Sequence, residues 1–190
     1  RNFQRYYRSG DKFPIFPTSF YDGLLMRAMY LLPESRGRLL LNTSNPYSDP
    51  LIYPNYLKEP SDLVRLIKGF RYLMKLKDTK AFKSRGAYFV ETPLEPCTKY
   101  EYDSDEYYTC MAYAYTSSTY HYGGSCKMGP KWDKSAVVDP QLRVYGISNL
   151  RVIDASIMPR VTSGNTVAPS IMIGERGVDF IIKYWKTHMY

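Results

Sequence analysis

Three textures of apolar and polar positions alternate along this chain, and each predicts a different kind of element. The clearest is helical. After Pro60-Ser61-Asp62, apolar residues recur at Leu63, Leu66, Ile67, Phe70, Leu73, Met74 and Leu76 through Lys77, the spacing of one helix face. Ser61 is placed to cap this helix, whose content is packing rather than chemistry. Ser104 to Thr116 reads as a second helix, with Asp105 and Glu106 in the first turn, where the helix dipole favours acids. Ile171 to Trp185 reads as a closing helix loosened by Gly174 and Gly177.

Short apolar runs between turn residues make the second texture. Leu24 to Leu32 ends at Pro33, Glu34-Ser35-Arg36-Gly37 turns, and Arg38 to Leu41 is apolar again. This predicts two strands joined by a tight connection, with Gly37 supplying the permissive backbone. Beyond Ala136, Val137-Val138, Leu142 to Tyr145 and Leu150 to Ile153 read as further strands among Gly and Pro. The third texture is aperiodic: the stretch through Pro17 and the proline-punctuated Asn45 to Pro54 read as loops. No internal repeat is visible. The sum is an α+β fold, an antiparallel β-sheet with flanking helices.

Composition changes this picture little. A chain of 190 residues with 44% hydrophobic and 23% charged positions can bury a core. No apolar run approaches the length of a membrane span, and the basic start (Arg1, Arg5, Arg8) lacks the apolar stretch of a signal peptide. The chain begins at Arg1 without Met, so the expectation is an excerpt or a processed piece. The net charge of +8 is scattered among acidic residues, and the 20 tyrosines are accompanied by no basic stripe. A solvated surface of mixed charge, not a nucleic-acid interface, is the reading.

Cys97 and Cys110 flank an acidic, Tyr-rich stretch. They are either a bridge closing a short loop, which suits an extracellular protein, or two thiols. Only His121 and His188 exist and no Cys-x-x-Cys occurs, so no metal site is expected. Asn42-Thr43-Ser44 has the form of a glycosylation sequon, a pattern common by chance.

Two segments can carry chemistry. In Tyr120-His121-Tyr122-Gly123-Gly124-Ser125-Cys126-Lys127-Met128-Gly129, a His precedes two glycines, a Ser and a Cys. It reads as a side chain held where backbone approaches something closely, as a plain loop His, or, weakly, as half of a Cys-His pair. In Asp154-Ala155-Ser156-Ile157-Met158-Pro159 and Ser163-Gly164-Asn165-Thr166-Val167-Ala168-Pro169, a strand end leads to a cluster that can cap the final helix. Pro169 falls in that helix's first turn, and a helix start with free N–H groups can receive an anion.

Taken with other stretches, these segments resemble the glucose-methanol-choline oxidoreductases, FAD enzymes that oxidise alcohols. Residues 32–38 (Leu-Pro-Glu-Ser-Arg-Gly-Arg) resemble the start of that family's C-terminal region. Asn45 to Pro54 with Asn55-Tyr56-Leu57 is similar to its proline-rich segment, and Tyr120 to Pro130 to its active-site His segment. Val137-Val138-Asp139-Pro140-Gln141-Leu142-Arg143-Val144-Tyr145-Gly146 and Asn149 to Pro159 resemble its C-terminal signature almost letter for letter. The match runs from about Leu31 to Ile182. The Cys97/Cys110 pair and Lys127 to Pro130 are more similar to the insect glucose dehydrogenase branch than to the fungal oxidases.

The resemblance implies roles. His121 would be the base beside the flavin, and Asn165 the second catalytic position, holding the substrate oxygen rather than taking its proton. Asn165, Thr166 and Val167 would lie near the flavin edge that becomes negative on reduction. Asp154 and Ala155 would contact the ribityl-phosphate region of FAD. It implies a small alcohol or sugar as substrate and a quinone or oxygen as electron acceptor, while a Cys97–Cys110 bridge would suit a secreted, extracellular location. Residues 1–125 would be the C-terminal portion of a substrate-binding domain, and 126–190 the segment completing the FAD domain.

One departure stands out: no Gly-x-Gly-x-x-Gly turn for the FAD pyrophosphate occurs here. Either the nucleotide-binding half lies elsewhere in a longer protein, or the chain is a flavin-free, non-enzymatic relative retained as a binding protein.

Overall fold

The computed structural model describes residues 26–45 and 47–188. Its elements in chain order are β1 (Arg38–Leu40), β2 (Leu51–Tyr53), α1 (Pro60–Met74), α2 (Lys80–Lys83), α3 (Asp105–Tyr115) and α4 (Val167–His188), with 3-10 turns at Lys75–Asp78 and Ala155–Ile157. This is a mixed α+β chain whose sheet is a two-stranded antiparallel pair. β1 meets β2 in the register Arg38↔Tyr53, Leu39↔Ile52, Leu40↔Leu51.

That pairing corrects the expected partner of β1. Residues 26–32 form no strand, and β1 pairs forward into the segment expected to be a loop. Leu51–Tyr53 fits between Pro50 and Pro54, so the prolines bound the strand instead of interrupting it. Gly37 serves close approach: a Cβ there would lie 2.6 Å from the Tyr53 carbonyl oxygen. The stretch through Pro17 and the start of the 24–32 run lie outside the described residues.

α1 begins at Pro60 with Glu59 at the N-cap, so Ser61 falls inside the first turn and does not cap. The cap comes from elsewhere. The Asp62 carboxylate, buried in the first turn, accepts the Glu34 and Ser35 N–H groups, each at 2.8 Å. In return the Ser35 hydroxyl oxygen accepts the Glu59 N–H at 3.0 Å. Burial alone would raise the Asp62 carboxyl, but the Ser35 hydroxyl, these two N–H groups and Arg65 together hold it below its ordinary range. α3 has the expected start, with the Ser104 hydroxyl oxygen accepting the Tyr107 N–H.

Two apolar clusters organise the chain. One gathers Cys97, Tyr107 and Tyr108 against Ile67, Phe70 and Met74 of α1, so α1 and α3 pack on each other. The Cys97–Cys110 disulfide lies within it, which decides between bridge and thiols. The other gathers Val138, Leu142, Ile157, Met158 and Ile173, with Ile153 and Phe180 at its edge. The strands expected over 137–153 are replaced by single bridges, Met128↔Val138, Val138↔Val144 and Arg143↔Arg151. Asp139 explains this: its carboxylate accepts the Gln141 and Arg143 N–H groups, and Leu142 turns at φ 65°. These tight reversals stop any strand from lengthening.

α4 is longer than expected and Gly177 does not loosen it. A Cβ on Gly177 would come 2.3 Å from Ile153 Cγ2, so this glycine lets α4 lie directly on the 150–153 segment. At Gly174 a Cβ would meet nothing within 4 Å.

Candidate active site

The His121 segment lies along the 153–158 segment. Cys126 N–H donates to the Ser156 carbonyl at 2.9 Å, and Met128 N–H to the Ile157 carbonyl at 2.8 Å. The glycines after His121 make this possible. A Cβ on Gly123 would fall 2.8 Å from the Ala155 carbonyl oxygen, and Gly124 turns at φ 87° against the Met158 carbonyl. Two adjacent positions without Cβ let the segment after His121 lie directly on the Ala155–Met158 backbone.

His121 is half-buried, and its Nδ1 lies 3.2 Å from the Thr166 hydroxyl oxygen, across 45 residues of sequence. Thr166 immediately precedes α4, and its carbonyl accepts both the N–H (3.0 Å) and the hydroxyl (2.6 Å) of Ser170. The contact brings His121 to the residue next to Asn165, which is exposed beside it. Val167, also exposed, is the first residue of α4. The first N–H groups of a helix have no acceptor within it, and Pro169 has none to leave unpaired.

The remaining predicted residues are placed less uniformly. Ala155 reaches the His121 segment through Gly123. The Asp154 carboxylate is occupied locally, accepting the Ser156 N–H at 2.7 Å to cap the 3-10 turn. The Ser156 hydroxyl and N–H hold its carboxyl below the ordinary range. Cys126 is a free, half-buried thiol. The side-chain partner of His121 among the described residues is Thr166 and not Cys126, so the Cys-His pairing finds no support.

Two residues near this site were not singled out for chemistry from the sequence. They are Tyr56 and Ser118, the latter three residues before His121, where its hydroxyl oxygen accepts the Tyr120 N–H at 2.9 Å. Burial pushes the Tyr56 phenol upward, the Ser118 hydroxyl opposes the rise, and Tyr122 adds to it. Asn55 and Leu57, on either side of Tyr56, both have positive φ, 53° and 57°.

Among the described residues, no group of three or more His, Cys, Asp or Glu gathers to hold a metal ion. No helix among them is long and apolar enough to cross a membrane.

Comparison with known proteins agrees with this arrangement. The family model described as GMC oxidoreductase matches residues 33–174. The chain is 41% identical over 155 residues to glucose dehydrogenase [FAD, quinone] of Drosophila melanogaster, covering 82% of this chain and 25% of that protein. It is 36% identical over 167 residues to ecdysone oxidase of Bombyx mori, covering 88% and 24%. Among solved structures, a fungal aryl-alcohol oxidase superposes with a TM-score of 0.69 at 32% identity, over 82% of this chain and 25% of that one. The chain thus spans about a quarter of the length of the relatives it matches. With the His121 segment, the Ala155–Ile157 turn and the start of α4 all inside the matched region, the chain belongs to the GMC oxidoreductase family.

Proposed function

We propose that this chain is the C-terminal portion of an FAD-dependent oxidoreductase acting on the CH–OH group of a small alcohol or sugar, with His121 as the base. The observation that carries the reading is the 3.2 Å contact between His121 Nδ1 and Thr166 at the start of α4. With Nδ1–H donating to the Thr166 hydroxyl oxygen, Nε2 is the ring nitrogen that accepts the hydroxyl proton. Asn165, exposed one residue before Thr166, holds the substrate oxygen through its amide. Bound FAD would supply the hydride acceptor, with the electrons passing on to a quinone or to oxygen.

A flavin fits these residues. The first N–H groups of α4, which have no acceptor within the helix, suit a ring edge that becomes negative, and Asn165 and Val167 are exposed to receive it. Ala155 and Asp154 lie on the turn beneath, where the ribityl chain would run. Relatives named as FAD enzymes support the choice of cofactor.

Two open apolar faces support the division into the end of a substrate domain, through residue 125, and a segment completing the FAD domain. Val167, Ile171, Val178, Ile182 and Trp185 form a stripe along α4, all more than a third exposed. Leu39, Leu41 and Ile52 are exposed on the β1–β2 hairpin. Apolar faces of this extent suit burial beneath further polypeptide. The Cys97–Cys110 disulfide supports an extracellular location.

The test is expression of the whole coding sequence. The product should carry FAD, be bleached anaerobically by its alcohol, and lose that reduction by orders of magnitude in His121→Ala. A full-length product that binds no flavin, or a His121→Ala variant reduced at the native rate, overturns the reading.

A further inference from the structure

Asn42-Thr43-Ser44 is the one Asn-x-Ser/Thr triplet in the sequence, since no other asparagine has Ser or Thr two positions on. The middle residue is Thr43 and not Pro, as an acceptor triplet requires. The letters alone do not separate an acceptor from a coincidence. Such a triplet is modified where the chain is accessible and the protein enters the secretory route. The fold speaks to both conditions.

The triplet lies in the connection between β1, which ends at Leu40, and β2, which begins at Leu51. Thr43 and Ser44 are exposed and Asn42 is half-exposed. The Asn42 carbonyl accepts the Asn45 N–H at 3.3 Å, and the Asn42 Oδ1 accepts the Ser44 N–H at 3.1 Å. A backbone N–H only donates, so the carboxamide oxygen faces the turn and Nδ2 is the end open to modification. A second turn follows, with Asn45 Oδ1 accepting the N–H of Tyr47, which is 98% exposed. The paired apolar residues Leu39 and Ile52 lie on the strands and not in this connection. Among the described residues, neither apolar cluster draws a member from it. A bulky polar group on Asn42 thus disturbs no core packing.

The compartment is indicated by a separate feature. The Cys97–Cys110 disulfide lies in another part of the sequence, and such bridges form in the oxidising lumen of the secretory route.

We infer that Asn42 is an N-glycosylation site, carrying an oligosaccharide on the β1–β2 turn. The donor is an oligosaccharide joined through diphosphate to a polyisoprenoid lipid. Asn42 Nδ2 forms a bond to the anomeric carbon of the first sugar as the bond from that carbon to the diphosphate oxygen breaks. The lipid diphosphate leaves, Nδ2 loses one proton, and nothing is oxidised or reduced. The inference rests on the extracellular location proposed above, and the experiment separates the two.

The whole coding sequence is expressed in eukaryotic cells, and protein from the medium and from the cells is mapped by peptide mass. The peptide holding Asn42 should carry the mass of one glycan. A peptide-N-glycosidase in heavy-oxygen water should remove that mass and leave Asp with one heavy oxygen. Asn42→Gln and Ser44→Ala should each abolish the modification, whereas Ser44→Thr should keep it. Secreted protein with Cys97 linked to Cys110 but Asn42 unmodified overturns the inference and leaves the location standing. A glycan that persists on Asn42 in Ser44→Ala also overturns it, because the triplet would not be what is read. Protein confined to the cytosol with reduced thiols overturns both. The mapping of the native chain decides the matter even where a variant does not fold.

Discussion

His121 and Thr166 meet at 3.2 Å, and this contact joins the Gly-rich segment to the start of the last helix. Two residues after His121, Gly123 lets this segment press on the Ala155 carbonyl, since a Cβ there would lie 2.8 Å from that oxygen. The contact selects which imidazole nitrogen is engaged, a property that decides how a histidine takes a proton. Thr166→Val in the full-length flavoprotein should therefore slow flavin reduction about tenfold. Thr166→Ser, which keeps the hydroxyl, should restore most of it. Single-turnover reduction measures both, and equal rates for Val and the native Thr would contradict the role.

Gly177 is predicted to tolerate no side chain. Alanine gains up to about 1 kcal/mol in helix propensity over glycine. Here its Cβ would lie 2.3 Å from Ile153 Cγ2, an overpacking that costs about 1–3 kcal/mol. Thermal denaturation of Gly177→Ala should show a net loss of stability. In an Ile153→Ala background, where the opposing methyl is gone, the same substitution should become neutral or stabilising. A loss of equal size in both backgrounds would place the cause elsewhere.

The Cys97–Cys110 bridge closes a short loop, with 13 residues of sequence separation, inside the α1–α3 cluster. Replacing both cysteines with alanine should lower unfolding stability by about 3 kcal/mol. Peptide mapping without reductant should recover residues 97 and 110 in one linked species, leaving Cys126 as the alkylatable thiol of this chain. Recovery of three alkylated cysteines would refute the pairing.

Acid should unfold the protein through identifiable carboxylates. The Lys127 ammonium, with the Ser135 hydroxyl and N–H, holds Asp133 down to about 2. Asp62 and Asp139 also lie below their ordinary range, because hydrogen bonds and neighbouring arginines outweigh their burial. Groups depressed in the fold contribute fully above the unfolded value, near pH 4, and that contribution disappears as pH falls through the folded values. Stability should thus be level above about pH 5 and decline steadily toward pH 2. Asp62→Asn, with no charge to lose, should be less stable at neutral pH and show a shallower acid decline. An unchanged acid slope would show that Asp62 does not contribute to it.

The helices were legible because periodicity, acidic first turns and Pro positions are local properties. α1, α3 and α4 all fall where the spacing predicts them. The Leu24 to Leu32 run illustrates the opposite case: its apolar content is real, but a strand exists only where another pairs with it, and β1 found its partner at Leu51–Tyr53. The segments over 137–153 are apolar because they line the Val138–Leu142 core, not because they extend as strands. At the site, His121 and the 154–167 residues were identifiable through the resemblance of their motifs. The hydrogen bond between His121 and Thr166 was not, since a contact across 45 residues leaves no periodic trace.

By itself, the sequence determined which family this chain belongs to and where its long helices run, and it singled out His121 as the candidate base, because each depends on residue identity and short-range spacing. The tertiary structure decided what holds that histidine. Its contact with Thr166 spans 45 residues, and Asp62 ties the start of its helix to Glu34 and Ser35, whose hydroxyl oxygen accepts the Glu59 N–H in return. These are relations between distant parts of the chain, and only close packing brings them within hydrogen-bond distance.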